Sequence, residues 1–179
     1  MPELPEVETI VKELRTEISG EIISNVEILR KNPIIQGNLN EFKLELKGKK
    51  ILDITRRAKY LIFHLKPKSF LIAHLRMTGK FIVSDYITET TKYTRVLFKL
   101  KSNRILIFED VRCFGTLEIQ KNLDNSNSLI KLGIEPLSKE MEPRFFLNKL
   151  SKSKREIKSI LLDQKIIAGL GNIYASEIL

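Results

Sequence analysis

Residues 51–84 read ILDITRRAKYLIFHLKPKSFLIAHLRMTGKFIVS, and this stretch decides the fold. Four short runs of β-type residues follow one another along it: Ile51–Thr55, Tyr60–Leu65, Phe70–Leu75 and Phe81–Ser84. Turn formers, Lys66-Pro67-Lys68-Ser69 and Thr78-Gly79, punctuate the series. Working outward, similar runs occur at Ile22–Leu29, Arg95–Leu100, Ile105–Glu109 and Thr116–Ile119, with Lys101-Ser102-Asn103 as another turn. Many short strands at close spacing predict a sandwich or barrel-like β-domain. One short helix, around Leu39–Leu46, interrupts the series.

The pattern changes at both ends. Val7, Ile10, Val11, Leu14 and Ile18 follow the spacing of an amphipathic helix. Pro5, Glu6 and Glu8 suit its first turn, and Gly20 suits its stop. On the other side, Lys121 to Ser128 is polar and reads as a linker. Pro143–Leu150 and Glu156–Leu162 then have helical periodicity, and a loop with Gly169 and Gly171 leads to a helix starting near Asn172.

The 179 residues carry 31 Lys and Arg against 22 Asp and Glu, a formal net charge of +9. Such an excess favours polyanionic partners, nucleic acid first and an acidic membrane surface second. From Lys43 to Lys80 there are 11 cations and 2 anions, so 11 − 2 = +9 resides in 38 residues. On one face of a sheet these charges would form a phosphate-binding surface, where isolated lysines would merely be solvated. Cys113 is the single cysteine, which rules out an internal disulfide and an all-cysteine zinc site. It reads as a small buried residue rather than a reactive one. The acidic opening has no apolar signal core and no apolar run reaches spanning length, so the expected location is the cytoplasm or nucleoid.

If Met1 is removed, Pro2 becomes an N-terminal secondary amine with an ordinary pKa near 8. Its neutral fraction can attack a sugar carbon, and the resulting charged iminium acts as an electron sink. Glu3 and Glu6 lie close enough in sequence to move protons. Taken alone, the same residues also make an ordinary helix start.

Five segments in order carry a wider resemblance: Pro2-Glu3-Leu4-Pro5-Glu6-Val7-Glu8-Thr9, Arg56-Arg57-Ala58-Lys59-Tyr60-Leu61, His74-Leu75-Arg76-Met77-Thr78-Gly79, Asp110-Val111-Arg112-Cys113-Phe114-Gly115 and Ala168-Gly169-Leu170-Gly171-Asn172-Ile173-Tyr174. Together they resemble the formamidopyrimidine-DNA glycosylases, bifunctional glycosylase/abasic-site lyases, and the Met, Arg and Phe set separates them from the endonuclease VIII branch. The resemblance implies an α+β fold: an N-terminal β-sandwich with a leading helix, then a partial helix-two-turn-helix segment. The expected organisation is a catalytic sandwich over 1–122, a linker over 123–137 and the helical DNA-binding segment over 138–179.

The resemblance implies roles as well. Pro2 attacks C1′ of the damaged nucleotide and Glu3 shuttles protons, while Glu6 either assists or is a plain helix-face carboxylate. Lys59 sits by the lesion and its phosphates. Met77, Arg112 and Phe114 fill the gap left by an extruded base, which otherwise costs a few kcal/mol of unstacking. His74 either touches a phosphate or is a satisfied strand histidine. Asn172 is expected at a phosphate-binding helix start, as an N-cap. The expected partner is double-stranded DNA with an oxidised purine or an abasic site, bound by a monomer without a membrane. The chemistry needs no metal, and zinc is expected only in a longer form carrying the family's four-cysteine finger, absent from these residues. Two alternatives stand beside a full glycosylase: a DNA-binding fragment with little or no activity, and a residual abasic-site lyase.

Overall fold

The computed structural model describes residues 1–30, 34–85 and 90–179. All eight β-type runs form strands: β1 (Ile23–Ile28), β3 (Lys50–Arg57), β4 (Tyr60–Lys66), β5 (Ser69–His74), β6 (Gly79–Ser84), β7 (Thr94–Leu100), β8 (Ile105–Asp110) and β9 (Thr116–Gln120). A two-residue strand, β2 (Ile35–Gln36), adds to them and pairs parallel with β9. The strands form two sheets, ordered β1-β7-β8-β6 and β2-β9-β5-β4-β3. The sheets face each other through an aromatic core, where Phe81 stands 5.4 Å from Phe63 and 5.0 Å from Phe108, edge-on and tilted.

Helix α1 (Leu4–Ile18) closes this core with Val7, Val11, Leu14 and Ile18, all on one face. Helix α2 (Leu39–Leu46) has the expected bounds. Asn38 caps it by accepting from the N–H groups of Asn40 and Glu41, while Phe42 and Leu46 point inward. Each fully buried Phe, Leu or Ile contributes about 1.5–3 kcal/mol.

Beyond the sandwich lie a 3-10 turn (Leu123–Asn125) and helices α3 (Asn127–Ile130), α4 (Pro143–Ser151), α5 (Ile157–Leu161) and α6 (Asn172–Ile178). The α+β class and the order of its parts match expectation. The segment expected as a linker is more structured than its polar composition implied. It contains the 3-10 turn and α3, and Ile134 bridges in parallel to Ile167. Leu161, Ile167, Leu170 and Ala175 form a second, smaller core.

The concentrated positive charge does not line one sheet face. The β3–β4 hairpin separates it into two ends, with Arg57 paired to Tyr60 at the turn and Lys50 paired to Lys66 at the open end. Lys47, Lys50, Lys66 and Lys68 are exposed at the open end, away from the turn that carries Lys59. Arg56 and Arg57, at the turn end, are engaged by protein groups. Arg56 bonds Glu8 at 2.8 Å and Glu135 at 2.7 Å, and Arg57 donates to Gly133 O at 2.6 Å.

Candidate active site

The first residues of the chain and the loop before α6 meet at the junction of the two cores. Glu3 is the N-cap residue of α1, and its own N–H donates to Glu6 Oε2 at 2.8 Å. Its carboxylate turns away and caps α6, 168 to 171 residues later. Oε2 accepts from Gly171 N at 2.6 Å and Tyr174 N at 3.4 Å, and Oε1 accepts from Ile173 N at 2.9 Å. Glu3 is therefore buried, although a carboxylate ordinarily is not, because its oxygens replace water with backbone donors. Gly171 is required here because a Cβ would overlap the Glu3 carboxylate carbon. Gly169, at φ +113°, donates from its N–H to Gln164 and accepts the Leu4 N–H at 3.1 Å. Pro2, half-buried, is fixed between exposed Met1 and this anchored residue.

Lys59 lies in the β3–β4 turn rather than on a solvated strand. It is buried, and its Nζ donates to Leu170 O at 2.7 Å. Burial lowers its pKa; the negative charge of Glu3 opposes this, and Arg76 adds to it. The preceding residue, Ala58, has φ +51°, a left-handed conformation that costs an alanine about 1–2 kcal/mol. Glu135 Oε1 compensates by accepting the Ala58 N–H at 2.6 Å. Burial alone would raise the Glu135 carboxyl, but hydrogen bonds from Arg56 and Ala58 hold it below its ordinary value.

His74, at the end of β5, is buried edge-on against Tyr60 at 4.5 Å. Its Nδ1 accepts the Arg76 N–H at 3.0 Å, which leaves the proton on Nε2. Burial, then Arg76 and Lys59, push its pKa down to about 3, so the ring is neutral at physiological pH. A phosphate contact from His74 would be a neutral hydrogen bond, not an ion pair.

Met77 and Phe114 stand on two neighbouring loop tips, 48% and 55% exposed. Arg112 is exposed too, its guanidinium 4.8 Å from the Phe114 ring centroid. Cys113, expected to be buried, is only partly so; it packs against the sandwich core from a left-handed turn (φ +58°) between these two residues.

Asn172 differs from expectation in one respect. Gly171 is the N-cap of α6, and Asn172 follows it as an exposed first helical residue. Glu3 already holds the N–H groups of Gly171, Ile173 and Tyr174, so its carboxylate occupies most of the anticipated phosphate site. The structure thus joins Glu3, Glu6, Lys59 and the α6 start, and sets Met77, Arg112 and Phe114 apart as an exposed group. Sequence reasoning missed Glu135 and the Leu170 carbonyl; both act across more than 75 residues and carry no local periodic signal.

Among the described residues, no group of three or more His, Cys, Asp or Glu side chains could hold a metal ion. No described helix is long and apolar enough to cross a membrane.

Comparison with known proteins follows the same division. Residues 1–117 match the model of the formamidopyrimidine-DNA glycosylase N-terminal domain, and residues 132–179 match that of the formamidopyrimidine-DNA glycosylase H2TH domain. The formamidopyrimidine-DNA glycosylase of Streptococcus pneumoniae is 44% identical over the whole chain, and that of Carboxydothermus hydrogenoformans 41%. The chain spans 65% of the length of each of these relatives. The Lactococcus lactis enzyme, solved bound non-covalently to DNA containing an abasic site, superposes with a TM-score of 0.92 at 38% identity. That match covers 99% of this chain and 68% of the other. A complex of the Lactococcus lactis enzyme with DNA containing FAPY-dG gives 0.91 at 39%, covering 99% and 67%. Fold, motif order and sequence identity agree: the chain belongs to the formamidopyrimidine-DNA glycosylase family.

Proposed function

We propose that this chain, once Met1 is removed, is a base-excision enzyme for oxidised purines such as 8-oxoguanine and formamidopyrimidines in double-stranded DNA. The Pro2 amine attacks C1′ of the damaged nucleotide, the C1′–N bond breaks and the base leaves with a proton. The sugar ring opens to an iminium at C1′. Loss of a C2′ proton then expels the 3′ phosphate, and a second elimination expels the 5′ phosphate. No step draws on a metal ion.

One observation carries this reading: the carboxylate beside Pro2 is immobilised by three backbone N–H groups from the start of α6. A fixed carboxylate on the residue that follows the nucleophile supports a proton relay during ring opening and elimination. Lys59, within the same cluster, supplies positive charge for the lesion's phosphates. Glu6 holds the Glu3 N–H and receives the Tyr174 hydroxyl at 3.3 Å, which supports an assisting role. The exposed Met77, Arg112 and Phe114 suit gap filling: two apolar wedges and one donor for the unpaired base. His74 and Asn172 complete the proposed DNA contacts as neutral donors. We take the acting species to be a monomer in the cytoplasm or nucleoid.

Strand cleavage of three duplexes tests the proposal: one with 8-oxoguanine, one with an abasic site and one undamaged. Cleavage of the first two and not the third is expected. Cleavage of abasic DNA alone would reduce the protein to a lyase, and binding without cleavage would make it a DNA-binding fragment.

A further inference from the structure

The tips that carry Met77 and Phe114 arise from two crossovers between the sheets. Residues 75–78 carry the chain from β5 to β6, and residues 111–115 carry it back from β8 to β9. Within the sheets, β5 pairs with β9 and β6 with β8, so the two crossovers stack at one end of the sandwich. Asp110 lies beneath both and is fully buried.

The Asp110 carboxylate receives donors from each crossover. Oδ1 accepts the Thr78 hydroxyl from the first, and the Arg112 N–H at 3.1 Å from the second. Oδ2 accepts the Gly115 N–H at 2.7 Å. Thr78 closes the triangle, since its Oγ1 also receives the Arg112 N–H at 3.0 Å. From below, the buried Arg95 guanidinium donates to Asp110 O at 2.7 Å. Gly115 permits the close approach, because a Cβ there would stand 3.0 Å from Oδ2 and 2.9 Å from the Phe108 ring. These bonds fix both ends of the 111–115 loop, whose Cys113 is left-handed, and the last residue of the 75–78 loop.

We infer that Asp110, acting through Thr78, is a positioning residue that holds the two crossovers at one spacing, so that Met77, Arg112 and Phe114 enter a single gap in DNA together. This rests on the reading of those three residues as gap fillers. Met77 and Phe114 are each about half exposed on separate crossovers, and two independently moving tips would lose the pre-organisation that binding a gap requires. A carboxylate suits the task because all three of its partners are donors, whereas an amide offers one acceptor oxygen and two N–H groups.

The test uses the full chain and two probes: a duplex with one tetrahydrofuran abasic analogue and the same duplex undamaged. The readout is the ratio of their dissociation constants, which a merely structural defect, weakening both alike, would not move. Thr78→Val, which removes both hydrogen bonds of the Thr78 hydroxyl, and Asp110→Asn are expected to lower the preference for the gapped duplex about tenfold. Thr78→Ser, which keeps the hydroxyl, should retain it, while Met77→Ala and Phe114→Ala should lower it. Thermal melting identifies a variant that has not folded; if Asp110→Asn fails to fold, Thr78→Val decides. An unchanged ratio in folded Thr78→Val overturns the inference and leaves the gap-filling reading intact. An unchanged ratio in Met77→Ala and Phe114→Ala overturns that reading and the inference with it.

Discussion

The two cores of this chain are built on different principles. The sandwich encloses a large apolar cluster, with Phe42, Phe63, Phe98 and Phe108 fully buried. The segment over 132–179 has a small apolar centre of Leu161, Ile167, Leu170 and Ala175, while Leu147 and Ile173 remain about three-fifths exposed. What holds the second segment to the first is chiefly polar: Glu135 to Arg56 and Ala58, Gly133 O to Arg57, Leu170 O to Lys59, and the α6 amides to Glu3. The lesson is that the candidate site and the junction are one structure. Glu3 and Lys59, the residues expected to do chemistry, are also two of the fasteners.

Four substitutions or conditions test this contrast. Phe108→Ala should have the largest effect, destabilising the whole chain by about 3–5 kcal/mol in denaturant melts, as expected for a large buried aromatic. Arg56→Ala removes the partner of a carboxylate in a largely buried cluster and should cost about 2–3 kcal/mol. That loss should be local: hydrogen exchange is expected to rise over 132–179 and to leave β4 and β5 protected. If the sandwich loses protection equally, the two regions are one cooperative unit.

Gly171→Ala should cost less in stability, about 1–2 kcal/mol, since it displaces one capped carboxylate. Its effect on covalent trapping of abasic DNA should be greater than its effect on melting, because Glu3 must move. The smallest effect concerns pH. Glu135 has a folded pKa below the ordinary 4.5, so its stabilising contribution is complete above pH 4.5 and is lost as pH falls below it. Hydrogen exchange at falling pH should therefore release 132–179 before the sandwich, and Glu135→Gln should reduce the difference in their pH dependence, with Asp163, paired with Arg155, retaining part of it.

Local order was legible in the sequence. The bounds of α2 follow from Asn38 as cap and the Phe42/Leu46 spacing, and eight strands follow from β-type runs between turns. The two-residue β2 was not legible, since Ile35–Gln36 is too short to show a period. The site was legible as a set of residues and not as an arrangement. Asn172 carries the residue type of an N-cap, yet Gly171 takes that position because Glu3 arrives from the other end of the chain. Glu135 lies in the stretch expected to be a linker over 123–137, and the left-handed Ala58 backbone together with Arg56 explains why a carboxylate is needed there. In each case the missing information is a contact across 77 or more residues.

The central claim is that the Pro2 nitrogen is the nucleophile. Borohydride reduction in the presence of abasic DNA, followed by peptide mass mapping, tests it most directly. The account predicts a DNA adduct on the N-terminal peptide beginning at Pro2, and none when Met1 is retained. An adduct on Lys59 or another lysine, or no adduct from chain lacking Met1, would contradict it.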